Sequence, residues 1–318
     1  MKCLISKNIL IVFAVTILVT GCNREPEKVK IGYQKIDVYQ HFFTALEKGF
    51  FQDEGVEIEP VEFASANLMA EAVVAGRIDG SGATALPVIF SLEQNSPGQF
   101  KIYIINAITN TAFPDYILVK NDSKINSLLD LKGKKIGTYP GSTIITYTKV
   151  ILKRFFDPDK DISLIQLKPE LQLQALEADQ VDAIFTLEPI ASLGIVRGIA
   201  RVLLEAPLAK YIMDPLPGNG STFSPKFLKK YPKAAEKVKK AMYRAIDFLN
   251  DPQNVQEVKK ILTKWTQMEP EVIERLRPLK YWKLEEMDRE AVQKLADLLF
   301  EERSLEKRIN TSSLYYDK

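Results

Sequence analysis

The stretch Leu131-Lys132-Gly133-Lys134-Lys135-Ile136-Gly137-Thr138-Tyr139-Pro140-Gly141-Ser142-Thr143 decides how the rest of the chain is read. Lys135 to Tyr139 reads as a short buried strand, and Pro140-Gly141 turns it. From Ser142 a helical spacing takes over, carried by Ile144, Thr148, Ile151, Leu152 and Phe155. A strand that turns through glycine into a helix leaves backbone N–H groups free, with a partial positive charge behind them. With the hydroxyls of Ser142 and Thr143, this corner suits a carboxylate, sulfonate, phosphate or polar heterocycle. The same residues also fit the plainer role of Ser142 as the cap of its own helix.

Working outward, the first third of the chain alternates strand and helix. Strands are expected at Val29 to Tyr33, Val56 to Phe63, Ile78 to Thr84 and Lys101 to Thr109. Between them lie helices at Tyr39 to Lys48, Ala66 to Ala75 and Leu86 to Leu92, the first two stopped by Gly49 and Gly76. That rhythm implies an α/β fold with mostly parallel strands and helices on both faces. The pattern then restarts. Lys30-Ile31-Gly32 returns as Lys135-Ile136-Gly137, and Ala75-Gly76-Arg77-Ile78-Asp79-Gly80 returns as Ala178-Asp179-Gln180-Val181-Asp182-Ala183, at offsets of 105 and 103 residues. Two matches in one order at nearly one offset indicate two similar lobes. Ile162 to Leu167, Leu171 to Ala178 and Val181 to Thr186 fill the second lobe.

Two segments read as crossovers between the lobes. Ala112 to Lys120 is extended after Pro114, and Pro207 to Ser224 is irregular, with three prolines and Gly218-Asn219-Gly220. The first lobe is therefore expected from residues 29–112 plus 215–318 and the second from 113–214. From Ser224-Pro225 onward the chain reads as helical, at Phe227 to Lys230, Lys233 to Leu249, Gln253 to Trp265, Glu271 to Leu276 and Met287 to Glu302.

Residues 1–21 read as an export signal: Lys2 and Lys7, then an apolar core from Ile9 to Val19 too short to span a bilayer. Leu18-Val19-Thr20-Gly21-Cys22 resembles a bacterial lipobox, which implies an acylated Cys22 and a polar tether over residues 22–28. The other cysteine, Cys3, lies inside the signal, so the mature chain is expected to hold no disulfide and no catalytic thiol. Without Lys2 and Lys7, basic and acidic residues balance at 41 each, which argues against a nucleic-acid partner.

In open α/β sheets, ligands sit beyond the carboxyl ends of the strands. The residues at those ends are Tyr33, Gln34, Ser65, Ala66, Asn67, Gly82, Ala83, Thr84 and Thr109 in the first lobe, and Ser142, Thr143 and Glu188 in the second. Small, hydroxylic and amide groups of this kind suit reversible hydrogen bonding better than bond-making chemistry. Glu188 either faces the cleft or caps the helix begun by Pro189. His41, the single histidine, shares its helix with Phe42 and Phe43 and reads as a packed or surface residue. There is no nucleophile elbow, phosphate-binding loop or metal-ligand spacing, so neither cofactor nor metal is expected. Asp79 and Asp182 fall at equivalent turns and are expected to play a structural role.

Several of these stretches together resemble the SsuA/THI5-like solute-binding proteins of ABC importers, the nitrate, sulfonate, taurine and thiamine-precursor group. They are Phe43-Thr44-Ala45-Leu46-Glu47-Lys48-Gly49-Phe50-Phe51, Ala75 to Gly80, Leu131 to Gly137, and Gln180 to Ala183 with Glu188-Pro189. The resemblance implies a two-lobed periplasmic-binding-protein type II fold with two crossovers. It further implies a monomer that closes on one small solute and docks on a membrane permease served by a cytoplasmic ATPase. It leaves the solute open between a sulfonate- or nitrate-like anion and a pyrimidine-like heterocycle, for which Glu188 would be the holding carboxylate. Two other functions follow from the same resemblance. One is the family's pyrimidine-synthesis branch, which depends on a cysteine-rich motif and a histidine; the other is a ligand sensor for a membrane signalling protein.

Overall fold

Short apolar runs bounded by glycine and proline become eleven strands in the computed structural model, which describes residues 28–317. In chain order they are β1 (Val29–Tyr33), β2 (Ile58–Glu62), β3 (Gly80–Ala85), β4 (Lys101–Ile108), β5 (Asp115–Lys120) and β6 (Lys135–Thr138). Then come β7 (Ser163–Gln166), β8 (Ala183–Leu187), β9 (Ala200–Glu205), β10 (Leu216–Phe223) and β11 (Lys280–Lys283). They form two sheets, in the orders β11-β4-β10-β3-β1-β2 and β7-β6-β8-β5-β9.

Without the edge strand β11, the two sheets have one plan. A parallel trio, β2-β1-β3 or β7-β6-β8, is followed by an antiparallel strand and then a last strand. In each sheet the antiparallel strand, β10 or β5, is one that has just crossed from the other half of the chain. The repeat extends to single hydrogen bonds. The Lys30 amide donates to Asp79 Oδ2 at 2.9 Å, and the Lys135 amide donates to Asp182 Oδ2 at the same 2.9 Å. The aspartate amides return bonds to the Lys30 and Lys135 carbonyls at 2.9 and 2.8 Å. At the preceding turn Gly76 has φ +66° and Asp179 φ +53°, a left-handed conformation that aspartate tolerates better than most residues.

Two expectations need correction, and one strand is additional. Pro207 to Ser224 is not irregular throughout, since Leu216–Phe223 is a central strand bonded to both β3 and β4. It can enter there because Gly80 has no side chain; a Cβ at Gly80 would lie 2.2 Å from the Thr222 carbonyl oxygen. The C-terminal part is not wholly helical, because Lys280–Lys283 adds an antiparallel edge to β4. Ala200–Glu205 is a further strand, paired with β5, that the sequence reading passed over. The C-terminal helices themselves fall at Pro225–Lys230, Pro232–Asn250, Val255–Thr266, Pro270–Arg275 and Arg289–Glu301.

The first lobe's core lies where helix Gln40–Glu47 packs on helix Pro232–Asn250. Phe42 and Phe43 of the first helix and Ala234, Ala235, Val238, Ala241 and Met242 of the second are all fully buried or nearly so. Small residues let the two axes approach, and each buried phenylalanine contributes roughly 1.5–3 kcal/mol. Trp265 stacks on Phe43 at 5.0 Å and ties the next helix to the same core.

Three ion pairs join the lobes across their gap: Arg197 with Glu269 at 2.7 Å, Arg277 with Glu205 at 3.1 Å, and Lys153 with Glu302. The two crossovers lie side by side, joined by a hydrogen bond from Asn110 Nδ2 to Asp214 Oδ2. The signal, Cys22 and most of the tether fall outside the described residues. Among the described residues no helix is long and apolar enough to cross a membrane.

Candidate functional site: the cleft between the lobes

In this topology ligands sit beyond the carboxyl ends of the strands, and Tyr139, after β6, feels both Glu188, after β8, and Asp37, after β1. The sequence-derived residues there divide into several roles. Tyr33 packs its ring against Phe42, Phe43 and Trp265, at centroid distances of 5.6 to 6.0 Å, as part of the first lobe's core. Gln34 is half-buried and accepts from the Tyr39 hydroxyl at 3.5 Å. Ser65 caps helix Ala66–Val74 by accepting from the Leu68 amide at 3.3 Å, which places half-buried Ala66 in the first turn and leaves Asn67 exposed. The carbonyls of Gly82 and Ala83 are taken by His41, Ser221 and Tyr39. Thr84 is fully buried, with its hydroxyl 2.7 Å from that of Ser81. Thr109 closes the turn into the first crossover, accepting from the Ala112 amide at 3.0 Å. In Gly82, Ala83, Thr84 and Thr109 the polar groups named here are thus used inside the fold.

In the second lobe, the helix that opens the corner spans Ser142–Leu152. Its cap is Gly141, at φ +120°, and not Ser142, which is the first helical residue. The Gly141 amide donates to Gln166 Oε1 at 2.9 Å. Ser142 is exposed, with its hydroxyl 3.3 Å from that of Ser304 in the first lobe, and Thr143 beside it is half-buried.

Glu188 follows β8 directly and is 6% exposed. Its carboxylate caps the following helix, accepting from the Ser192 amide at 3.0 Å and from the Ser192 hydroxyl at 2.9 Å. It is also bonded to Tyr116 and lies within electrostatic reach of Asp37, across the gap in the first lobe. Burial, opposed by the Ser192 amide, pushes Glu188 up to about 7. Asp37, at the start of a short turn after β1, is buried too and is pushed up to about 6, with only its own amide and that of Val38 opposing the shift.

Around this pair stand residues the sequence reading did not single out. Tyr139, pushed up to about 12 by burial, bonds Thr186 and feels both Glu188 and Asp37. Tyr281, on β11, is buried, donates its hydroxyl to the Val38 carbonyl at 3.0 Å and feels Asp37. Arg277 reaches the Tyr116 hydroxyl and pairs with Glu205. Tyr139 was visible, since it ends the opening strand. Asp37 and Tyr281 carried no local signal, because only the tertiary fold brings them to the gap.

The arrangement can bind through hydrogen bonds, aromatic faces and carboxylates. It lacks an evident proton-transfer base among histidines. His41 is buried, with Nε2 3.0 Å from both the Gly82 carbonyl and Ser221 Oγ, and burial lowers its ring to about 3. Among the described residues no group of histidine, cysteine or carboxylate side chains could hold a metal ion.

Two mixed α/β lobes of one plan, each completed by a strand crossing from the other half, define a periplasmic-binding-protein type II fold. The E. coli sulphonate-binding protein SsuA has the same fold, with a TM-score of 0.77 and 22% identity over 92% of this chain and 93% of that one. The chain belongs to the NMT1-like family, whose pattern it matches over residues 23–263. It is 29% identical over 211 residues to a Bacillus subtilis protein described as aliphatic sulfonates-binding, covering 63% of this chain and 62% of that protein. It is also 24% identical over 232 residues to a 4-amino-5-hydroxymethyl-2-methylpyrimidine phosphate synthase of Saccharomyces cerevisiae, covering 70% of this chain and 66% of the synthase. The alignment with the Bacillus protein thus spans less than two thirds of that relative.

Proposed function

We propose that this chain is the solute-binding component of an ABC importer. It holds one small polar solute in the interlobe cleft and presents it to a membrane permease with its cytoplasmic ATPase. The observation that carries this reading is the meeting of groups from opposite lobes at one place. Asp37 comes from the first lobe, and Tyr139 and Glu188 come from the second. A solute bridging them favours the closed arrangement, and closure is the signal a permease can read. Family membership and the similarity to sulfonate-binding relatives point the same way. The solute class lies between a sulfonate- or nitrate-like anion and a pyrimidine-like heterocycle. Gln34, Ser65, Ala66, Ser142 and Thr143 remain proposed neighbours of the solute, with Glu188 its principal contact, while Tyr33, Gly82, Thr84 and Thr109, engaged within the fold, are proposed to shape the cleft from behind.

The test is thermal melting of the chain from Asn23 onward against nitrate, taurine, alkanesulfonates, thiamine and aminopyrimidines. A solute at about 100 times its dissociation constant stabilises by roughly 2.7 kcal/mol. The expected result is a shift with one class that weakens in Glu188→Ala. A folded protein whose melt ignores the whole panel, and which carries no solute in native mass spectrometry, would sink the reading. Attachment to the membrane through an acylated Cys22 belongs to the same proposal. Its check is intact mass of the membrane-extracted protein, with Cys22→Ser releasing the protein into the soluble fraction.

A synthase reading has one observation in its favour, the yeast relative. Against it stand the two cysteines, at positions 3 and 22, and a single histidine held neutral by burial. Turnover or self-consumption by the purified protein would revive it.

A further inference from the structure

The first lobe carries a hollow of its own, apart from the cleft. It lies where helix Val255–Thr266, helix Pro270–Arg275 and the link to β11 come together, and it measures about 520 Å³ out to its open mouth. The first helix gives it Val258 and Leu262, the second and the link give it Ile273, Leu276 and Leu279. Val258, Leu262 and Ile273 are buried, whereas Val255, also in the lining, is 44% exposed, which puts it at the mouth. Every lining residue belongs to the first lobe, so the hollow can fill whether or not a solute lies between the lobes.

Its polar lining is one-sided. Gln40, Lys259 and Arg277 take part, and among the described residues no aspartate or glutamate does. Both cations are paired only with acids outside the hollow. Lys259 Nζ lies 2.5 Å from Glu274 Oε2, and Arg277 Nη2 lies 3.1 Å from Glu205 Oε1; the two acids are 60% and 41% exposed. Ion pairs this exposed are weak, so another anion can take the acid's place.

We propose that this hollow is a binding site for one medium-chain carboxylate, its hydrocarbon chain among Val258, Leu262, Ile273 and Leu276 and its carboxylate at Lys259 and Arg277. A hollow walled by valine, leucine and isoleucine hydrates poorly and takes hydrocarbon better than water. A chain of roughly eight to ten carbons suits a pocket of this size. The two cations then hold a carboxylate by charge-assisted hydrogen bonds, with the arginine fork offering two at once. Arg277 also ties the site to the second lobe. It pairs there with Glu205, and its guanidinium stands 5.5 Å over the ring of Phe113 in the first crossover. A carboxylate that draws Arg277 competes with Glu205, so occupancy of the hollow and this interlobe pair oppose each other.

The experiment is calorimetric titration of the mature chain with hexanoate, octanoate, decanoate and decanol, all below their micelle concentrations. The expected result is one site per chain, with affinity rising roughly two- to fourfold for each added methylene. Decanol should bind at least tenfold more weakly than decanoate. Val255→Glu sets a carboxylate at the mouth and should weaken decanoate about tenfold. Glu205→Gln releases Arg277 and should tighten decanoate about two- to fivefold while leaving decanol unchanged. Circular dichroism and urea unfolding accompany Val255→Glu; if its fold is disturbed, Glu205→Gln, with its opposite sign, carries the argument. Equal affinity for decanol and decanoate, several sites per chain, or decanoate binding that ignores both variants overturns the inference. Binding to phosphatidylglycerol vesicles with free decanoate ignored also overturns it, and makes this face a membrane contact. None of these outcomes bears on the receptor reading, which the solute panel tests separately.

Discussion

Asp115 shows how much one buried carboxyl can bear on the stability of a hinge. It is fully buried at the first residue after the crossover proline, with Oδ2 accepting from the Leu208 amide at 2.8 Å and Oδ1 without a partner. Burial pushes it up to about 7 from an ordinary value near 3.8. A carboxyl whose folded value is raised contributes stability that is fully present below its unfolded value, near pH 4, and lost as the pH climbs through about 7. Asp37 and Glu188 act with the same sign, so the wild-type protein should lose stability between pH 5 and pH 8. Asp115→Asn keeps an acceptor for Leu208 but cannot ionise. Its urea-unfolding free energy should fall less over that range, by on the order of 2 kcal/mol, since each tenfold in proton affinity is worth about 1.4 kcal/mol. Parallel pH profiles for the two proteins would show that Asp115 is solvated or paired in solution.

At the scale of elements, the internal repeat makes a paired prediction. Asp79 and Asp182 each receive the amide of the first residue of the repeated motif, Lys30 or Lys135, and so pin the end of a helix-to-strand turn to the neighbouring strand. Removing either acceptor leaves an amide short of its partner, at a cost of about 1–2 kcal/mol. Asp79→Ala and Asp182→Ala should therefore destabilise by similar amounts in urea, with solute binding otherwise retained. A large loss in one and none in the other would show that the two turns are alike in shape only. The repeat was legible because it is local: a glycine or aspartate turn, a short apolar strand and a fixed offset. Strands β10 and β11 were not legible. Leu216–Phe223 contains Pro217, Gly218 and Gly220, which read as loop residues, and it becomes a strand because β3 and β4 offer ladders on both sides. Lys280–Lys283 is too short for a period to show, and only pairing with β4 makes it extended.

For the whole molecule, the lobes are held together at their rims by the pairs of Arg197 with Glu269, Arg277 with Glu205 and Lys153 with Glu302. All are substantially solvent-exposed, so each contributes only about 0.2–1 kcal/mol and is screened by salt. Their sum still biases an open–closed equilibrium, because all three form between lobes and none within one. The combined variant Glu205→Gln, Glu269→Gln and Glu302→Gln should bind solute about tenfold more weakly at low salt. Its melting temperature should change little, and its radius of gyration in small-angle scattering should be larger. An unchanged affinity and radius would show that closure does not depend on these pairs.

The sequence by itself determined the α/β class, the twofold plan, most helices and the turns at Asp79 and Asp182. All of these follow from periodicity and turn chemistry within about a dozen residues. It also brought forward Glu188 and the Ser142 corner, because strand ends that turn into helices can be read locally. Only the tertiary structure decided what meets at the cleft. The Gly82 carbonyl and the Thr84 and Thr109 hydroxyls are used by the fold itself. Asp37, Tyr116 and Tyr139, far apart in sequence, come within reach of Glu188, and Tyr281 comes within reach of Asp37. The physical reason is that a hydrogen-bonding side chain has the same composition whether its partner is a neighbouring strand or a solute. Which of the two it finds depends on how the sheets are ordered and how the lobes close, and no local stretch of sequence carries that information.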